Sequence, residues 1–399
     1  MNIFVINSGS SSIKYQLFRW PAEQPVCSGL VERVGSAQAT ITHKVFDADG
    51  APTEQRLTLP LPDHEAGLHE VVRLLTAGVI QDPGDIDVVG HRVVHGGESF
   101  SQATPITPEV KAEIKRLFEL APLHNPANYL GIEVAERVFP RARQVAVFDT
   151  AFHQTLPEKA FRYALPTALY TEQRIRRYGF HGTSHQYVAA QAVAYLGQPD
   201  ARLITIHLGN GCSMAAVRGG RSLDTSMGFS PLAGLVMGTR SGDIDPSVLL
   251  HLTGPLGYSP EQVNTLLNKE SGMLGLTGQS DMRDISQALA AGDTAAQLAY
   301  DLYAYRIRQY IGAYAAVLNG LDAIIFTAGV GENDALVRQL VCQDMDFFGL
   351  ALDEAQNQQR QPGLRDLSAP GSRAKILVVP TNEELEIAQQ CAALEASAS

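Results

Sequence analysis

Leu203, Ile204, Ile206 and Leu208 form a short apolar run that breaks at Gly209, Asn210 and Gly211. Such a run reads as a buried strand, and residues 213–217 resume as a second one. Glycines leave bare backbone N–H groups beside whatever lies above the turn, which suits an anion. Thr239, Arg240, Ser241, Gly242, Asp243 and Asp245 follow. An arginine among Gly, Ser and carboxylates is a clamp for a charged substrate. The N-terminus repeats the design: an apolar strand at 3–6, a turn through Asn7, Ser8, Gly9, Ser10, Ser11 and Ser12, and a return strand at 13–18. Any hairpin turn is rich in Gly and Ser. Here, however, Asn7 and Asn210 take matching places, and Lys14 sits just inside the first return strand. Two related domains facing each other across a cleft are therefore expected.

Other residues able to do chemistry are spread along the chain. HRVVHGGE places Arg92 at a strand end before a double glycine, as an anion ligand or an ordinary salt-bridged arginine. VAVFD puts Asp149 at the carboxyl end of a buried strand, where α/β proteins place ligands. In RRYGFHGTSH, His181 and His185 are four apart, but Ser184 reads as the N-cap of a helix over 185–196. A polar His181 in a cleft turn is favoured over a zinc ligand. His64 and His69 make HExxxH, one residue too long for HExxH, and read as surface residues. TAGVGEN follows an apolar strand at 323–326 and lets a phosphorylated ligand lie on backbone. It is not the dinucleotide fingerprint, and no GxxxxGK[ST] occurs. In PTNEE, Glu383 and Glu384 open a terminal helix, where acidic side chains suit the helix dipole.

The elements that must position these groups read as α/β. Residues 27–59 alternate as strands do, and Leu68, Val71, Val72 and Leu75 have helical spacing. Thr107-Pro108, Asp245-Pro246 and Ser259-Pro260 are cap-plus-proline helix starts. A second helix runs from about Asn128 to Val138, and Ser280 to Ala290 forms a short one. Asp293 caps a long helix to Asn319 whose apolar residues cover more than one face, so it is central or at a subunit interface. With 399 residues, 45% hydrophobic, the chain has room for two or three domains. The boundary falls near Thr150, giving 1–150 and, after it, 151–382. A net charge of −11 without a basic block argues against a nucleic-acid or anionic-membrane partner. No apolar run spans a bilayer and no leader is evident. Cys27, Cys212, Cys342 and Cys391 form no CxxC pair and read as free thiols in a reducing cytoplasm.

Together NSGSSSIK, HRVVHGG, PLHNP, VFDTAFH, RRYGFHGTSH, HLGNG, MGTRSGD, GVGEN and PTNEE resemble, in order and over essentially the whole chain, the acetate kinase family of actin-like kinases. The resemblance implies two actin-like (ribonuclease H-like) domains, each a mixed five-stranded sheet with helices, with the terminal helix 383–399 returning to the first. It implies a homodimer joined through the second domain, with ATP/ADP and Mg²⁺ (or Mn²⁺), and acetate as the acceptor. By motif match, Asn7 and Glu383 serve the metal. Lys14, His207, Leu208, Gly209, Asn210, Gly211, Asp281, Met282, Arg283, Gly329, Val330, Gly331, Glu332 and Asn333 hold the nucleotide, with Ser10 and Ser12 offering N–H groups to its phosphates. Arg92 and Arg240 bind the carboxylate, and Val94, Leu123 and Pro231 line a methyl pocket. Asp149, His181 and Arg240 surround the reacting phosphoryl group. The family's PLEGL is PLAGL here, with Ala233 in place of the acid.

The implied reaction is phosphoryl transfer from ATP to acetate. A carboxylic acid of pKa near ~4 is ionised at neutral pH, so no base is needed to make the nucleophile. The barrier is the approach of an anion to a polyanion, overcome by positive charge and positioning. Asp149 is then expected to orient Arg240, His181 or a metal-bound water. The alternatives are a propionate or butyrate kinase of the same family, and a non-catalytic actin-like ATPase.

Overall fold

The computed structural model describes residues 1–47 and 50–398. Its contacts divide the chain into two units, Met1–Ala151 with Asn382–Ser399, and Phe152–Thr381. In the first unit, β1 (Asn2–Ser8), β2 (Ser12–Arg19), β3 (Pro25–Glu32), β4 (Ser36–Phe46) and β5 (Pro52–Leu61) form an antiparallel meander. The helix α1 (His64–Thr76) leads to β6 (Val88–Val93), which pairs parallel to β1. Then come β7 (Thr104–Pro105), α2 (Pro108–Arg116), α3 (Asn125–Val138) and β8 (Arg143–Phe148), the last parallel to β6. The sheet order is β5-β4-β3-β2-β1-β6-β8-β7.

The second unit opens with α4 (Glu158–Phe161), α5 (Thr167–Thr171) and α6 (Gly182–Leu196). Its sheet begins with β9 (Arg202–Leu208), β10 (Cys212–Arg218) and β11 (Arg221–Thr225). A helical run follows: α7 (Pro246–Thr253), α8 (Pro260–Lys269), α9 (Gly272–Thr277), α10 (Met282–Ala290) and α11 (Thr294–Leu318). Then come β12 (Ala323–Thr327), α12 (Ala328–Asn333), α13 (Ala335–Cys342), α14 (Glu354–Gln358), β13 (Arg365–Asp366) and β14 (Lys375–Val378). The order across this sheet is β11-β10-β9-β12-β14-β13. The chain ends in α15 (Glu383–Ala398), which belongs to the first unit.

Each sheet therefore contains the same mixed five-strand core, β3-β2-β1-β6-β8 in one and β11-β10-β9-β12-β14 in the other. The β4–β5 hairpin and β7 widen the first, and β13 widens the second. Two-residue alternation dictates which helices cover which face. Phe4 and Ile6 of β1 join Leu68, Val71 and Leu75 of α1 and Val134 and Ala135 of α3 in one core. Val5 points to the other face, which α15 covers. In the second unit, Val188, Ala189 and Ala192 of α6 pack on Leu203, Ala215, Val217 and Ile325. The helix α11 buries Tyr303, Ile307 and Tyr314 but leaves Leu298 and Tyr305 exposed. Among the described residues no helix is long and apolar enough to cross a membrane.

Four local expectations change. Asn7 lies in β1, paired with Lys14, and not in the turn, so its counterpart by register is His207, paired with Ser213, rather than Asn210. His64 is buried, its Nε2 2.7 Å from the Gly9 carbonyl oxygen, whereas His69 stays in solvent. α6 starts at Gly182 with His181 as its N-cap, and Ser184 lies inside the helix, its hydroxyl drawn to His207 and Thr381. Helix α3 starts three residues early, because Asn125 and Asn128 each hold the loop after β6.

At Gly90 in β6, a Cβ would lie 2.8 Å from Cys391 Sγ and 2.9 Å from Ile387 Cγ2 of α15. Overpacking of this kind costs about 1–3 kcal/mol. Gly90→Ala is expected to lower the unfolding temperature by several degrees in calorimetry; an unchanged transition would show that α15 yields freely.

Candidate active site

β1, β6 and β8 run parallel and bring three polar residues to their carboxyl ends. These are Asn7, Arg92 and, directly after β8, Asp149. Ligands of open α/β sheets bind at such ends. Arg92 donates to both Asp149 carboxylate oxygens, from Nε at 2.9 Å and Nη2 at 2.5 Å, and its Nη1 lies 3.4 Å from Asn7 Oδ1. Glu383, at the start of α15, comes within 3.9 Å of Arg92 Nε. Burial opposes the Arg92 charge, but Asp149, Glu383 and Glu384 outweigh it and raise its pKa. Burial pushes the Asp149 carboxyl up while Arg92 pulls it back. The carboxylate of Asp149 is thus engaged by Arg92 within the first unit.

The surrounding residues hold this end of the sheet in register. Lys14 Nζ is 2.6 Å from Glu384. Asn128 accepts from the Val94 N–H and donates to the Ser8 carbonyl, tying β6 to β1. Gly9 N–H bonds the Ser12 carbonyl across the first turn, with Ser10 exposed. Val94 is 8% exposed and Leu123 61% exposed. Of the two pocket residues assigned to this unit, only Val94 is packed.

In the second unit, a cavity of 1020 Å³ is lined by Gly209, Asn210, Asp281, Arg283, Gly329 and Asn333, among others. Val330 and Met282 also line it, so three separate sequence stretches meet there. Asp281 caps α10 and pairs with Arg283 at 2.5 Å, which together with the Arg283 N–H holds its carboxyl down at about 2. Leu208 is fully buried and offers only backbone. The Gly331 carbonyl accepts from Arg338 Nη1, and the Glu332 carboxylate accepts from the Thr381 N–H. Arg338 is the residue that the sequence hides. It is 2% exposed, binds Asn357 through its side-chain and backbone oxygens, and has its pKa lowered to about 10 by burial and by Arg365. Nothing in a helical pattern separates such an arginine from a solvated one.

A third constellation gathers at the Gly211 turn. A Cβ placed on Gly211 would lie 3.4 Å from His181 Cε1 and 3.5 Å from both His181 Nε2 and Arg240 Nη1. Arg240 Nη1 donates to the Pro231 carbonyl at 2.9 Å, so Pro231 is also local. Among the described residues no carboxylate pairs with Arg240, and burial lowers its pKa against the pull of Cys212. His181 has φ +56° and Ala328, at the start of α12, φ +64°. Such backbone costs of order 1–3 kcal/mol and clusters at functional sites. The His181 ring stacks on His207 at 4.2 Å. Gly234 and Asp243 exchange hydrogen bonds, and Tyr310 donates to Asp243 at 2.6 Å, pinning the loop that carries Arg240.

No group of three or more His, Cys, Asp or Glu side chains converges as a metal cage among the described residues. Asn7 and Glu383 nevertheless present hard oxygen atoms around one point, Arg92. That donor set fits Mg²⁺, which takes one or two protein oxygens and completes its shell with phosphate and water.

The sequence profile of the Acetokinase family matches residues 2–389. The acetate kinase of Flavobacterium johnsoniae is 56% identical over 393 residues, 98% of each chain. That of Thermotoga maritima is 50% identical over 397 residues, 98% of this chain and 97% of its own. Among solved structures, Porphyromonas gingivalis acetate kinase superposes with a TM-score of 0.92 at 43% identity, covering 98% of this chain and 99% of its own. A propionate kinase from Francisella tularensis gives 0.91 at 40%, covering 98% of each.

Burial lowers His91, His95 and His153 to about 4 and His185 well below its usual value. In the unfolded chain these rings titrate near ~6.5. Below that pH the unfolded state binds protons that the folded state refuses, so stability is present above about 6.5 and is lost as pH falls toward about 4. Each ring contributes a slope of about 1.4 kcal/mol per pH unit in that window. The urea midpoint at pH 5.5 is expected well below that at pH 7.5; equal midpoints would mean that the rings are charged in the fold.

Proposed function

Because this chain belongs to the acetokinase family, we propose that it moves the γ-phosphoryl group of ATP directly onto an oxygen of acetate, giving acetyl phosphate and ADP reversibly. ATP-dependent transfer to a carboxyl group is the family's activity and this chain's, carried on the two-domain actin-like fold. The single observation that supports the site best is Arg240, a half-buried guanidinium with no carboxylate partner among the described residues, set beside His181 over a glycine turn. An uncompensated buried cation is costly unless an anion answers it.

The roles follow from what each group can still do. Asp149 holds the Nε and Nη2 edge of Arg92, so the Nη1 end, held only by a long 3.4 Å bond to Asn7 Oδ1, is the part proposed to meet the acetate carboxylate. Arg240 and His181 donate to the phosphoryl oxygens as charge redistributes in transfer. The acetate oxygen forms the new P–O bond as the bond to the ADP oxygen breaks, and no proton needs to move. Asn7 and Glu383 would hold Mg²⁺, which when bound neutralises phosphate charge; Mn²⁺ suits the same oxygens. The 1020 Å³ cavity takes the nucleoside, with its phosphates toward the turn that carries Gly209, Asn210 and Gly211. Val94, Leu123 and Pro231 are proposed to face the acetate methyl group.

A homodimer through the second unit is supported by Leu250, Leu298 and Tyr305, which are 73%, 58% and 62% exposed. The four cysteines are free and buried, which fits a cytoplasmic protein.

Acetyl phosphate, trapped as its hydroxamate, is expected to appear only with both ATP and acetate. ADP release at an equal rate without acetate would overturn the reading. Arg240→Ala is expected to lower kcat by about 10²- to 10³-fold, the loss typical when one such donor is removed. A change confined to KM would reduce Arg240 to a binding residue.

A further inference from the structure

The second unit buries a chain of hydrogen bonds that ends on His181. Its Nδ1 lies 2.9 Å from Ser213 Oγ, and the same hydroxyl lies 2.7 Å from His185 Nε2. His185 Nδ1 lies 2.7 Å from Thr205 Oγ1. Thr205, Ser213 and His185 are all fully buried. β9, β10 and α6 supply one member each, so the chain is rigid by construction.

Its direction can be worked out from proton counting. Ser213 is fully buried and these two ring nitrogens are its hydroxyl's only partners among the described residues, so its one proton goes to one ring and the other ring donates to it. Burial holds His185 neutral, with one ring proton to give. The Thr205 hydroxyl can donate to His185 Nδ1 at 2.7 Å or to the Ala215 carbonyl at 3.4 Å. The second contact exceeds the usual range of about 2.5–3.0 Å for a hydroxyl donor, so the first takes the proton. His185 Nδ1 is then an acceptor and its Nε2–H donates to Ser213. Ser213 in turn donates to His181 Nδ1. The proton of a neutral His181 is left on Nε2, the atom that lies with Arg240 Nη1 beside Gly211.

We infer that Ser213 and His185 are positioning residues which lock the His181 ring with Nε2–H as the donor presented to the transferring phosphoryl group. The inference rests on the proposed role of His181. Without the relay the ring can rotate or take the other tautomer, and its Nε2 lone pair would then face phosphoryl oxygens and repel them.

Long-range ¹H–¹⁵N correlation of the histidine rings in the ¹⁵N-labelled full chain at neutral pH reads the tautomer directly, with His181→Gln and His185→Gln for assignment. A bare Nδ1 and protonated Nε2 at both rings is expected. A bare Nε2 at His181 would overturn the inference whatever the kinetics show. Ser213→Ala is expected to lower kcat by about 10- to 100-fold, as for groups that orient a metal-bound histidine. KM for ATP and acetate should change little, and Ser213→Thr should recover most of the loss. An Ala variant with wild-type kcat would also overturn the inference. Because the tautomer is read on wild-type protein, it is decided even where a variant does not fold. A wild-type protein that makes no acetyl phosphate would instead overturn the proposed reaction.

Discussion

A cation that has left bulk water must be answered by an anion, and the two units meet that demand in opposite ways. Arg92 is answered within the protein by Asp149, with Glu383 nearby. Arg240 is not answered by any carboxylate among the described residues. Breaking a buried pair costs about 3–5 kcal/mol, so Arg92 is fixed in place at all times. The Arg240 charge is desolvated in advance of a ligand, and the ligand that relieves it must be anionic. In the proposed reaction both features serve one difficulty, the approach of a carboxylate to a polyanionic phosphate, which positioning and positive charge resolve.

The scaffold explains why these charges can be held so firmly. Each sheet repeats one strand order, with a glycine turn joining its first two strands and parallel strands beside them. Parallel neighbours end at the same side, so residues far apart in sequence arrive together: Asn7 with Arg92 and Asp149, and Gly209 with Gly329. The same architecture is filled differently. The first sheet ends in charges, while the second ends among histidines and hydroxyls, where both ring nitrogens of His153 and His185 are bound by Ser, Thr and backbone partners and His207 Nδ1 meets Ser184. A saturated polar network is rigid, and its low dielectric strengthens every bond within it. The strained backbone at His181 and Ala328 is held by this surrounding structure.

Ala233 stands where the motif resemblance led to an acid being expected. It is half-buried, in contact range of a Cβ placed at Gly228. The Arg240 loop is held from elsewhere, by Asp243, Tyr310 and Arg306. This accounts for a loop that keeps its form without the acid at that position.

Local chemistry made much of the molecule legible in its sequence. Apolar runs ending in Gly, cap-plus-proline pairs at Thr107 and Ser259, and the Asp293 cap act over a few residues, so strands and helices could be read directly. Motif order was enough to reveal the family. What required the tertiary structure was every pairing between distant segments. Sequence alone could not say that Asp149 would be spent on Arg92, or that His64 would turn inward to Gly9. Nor could it say that Arg338 would be buried against Asn357, or that Ser213 would stand between two imidazoles. The reason is that a side chain's partner is set by strand register and helix packing, which are decided by the whole core at once, whereas a turn or a cap is decided by its own neighbours.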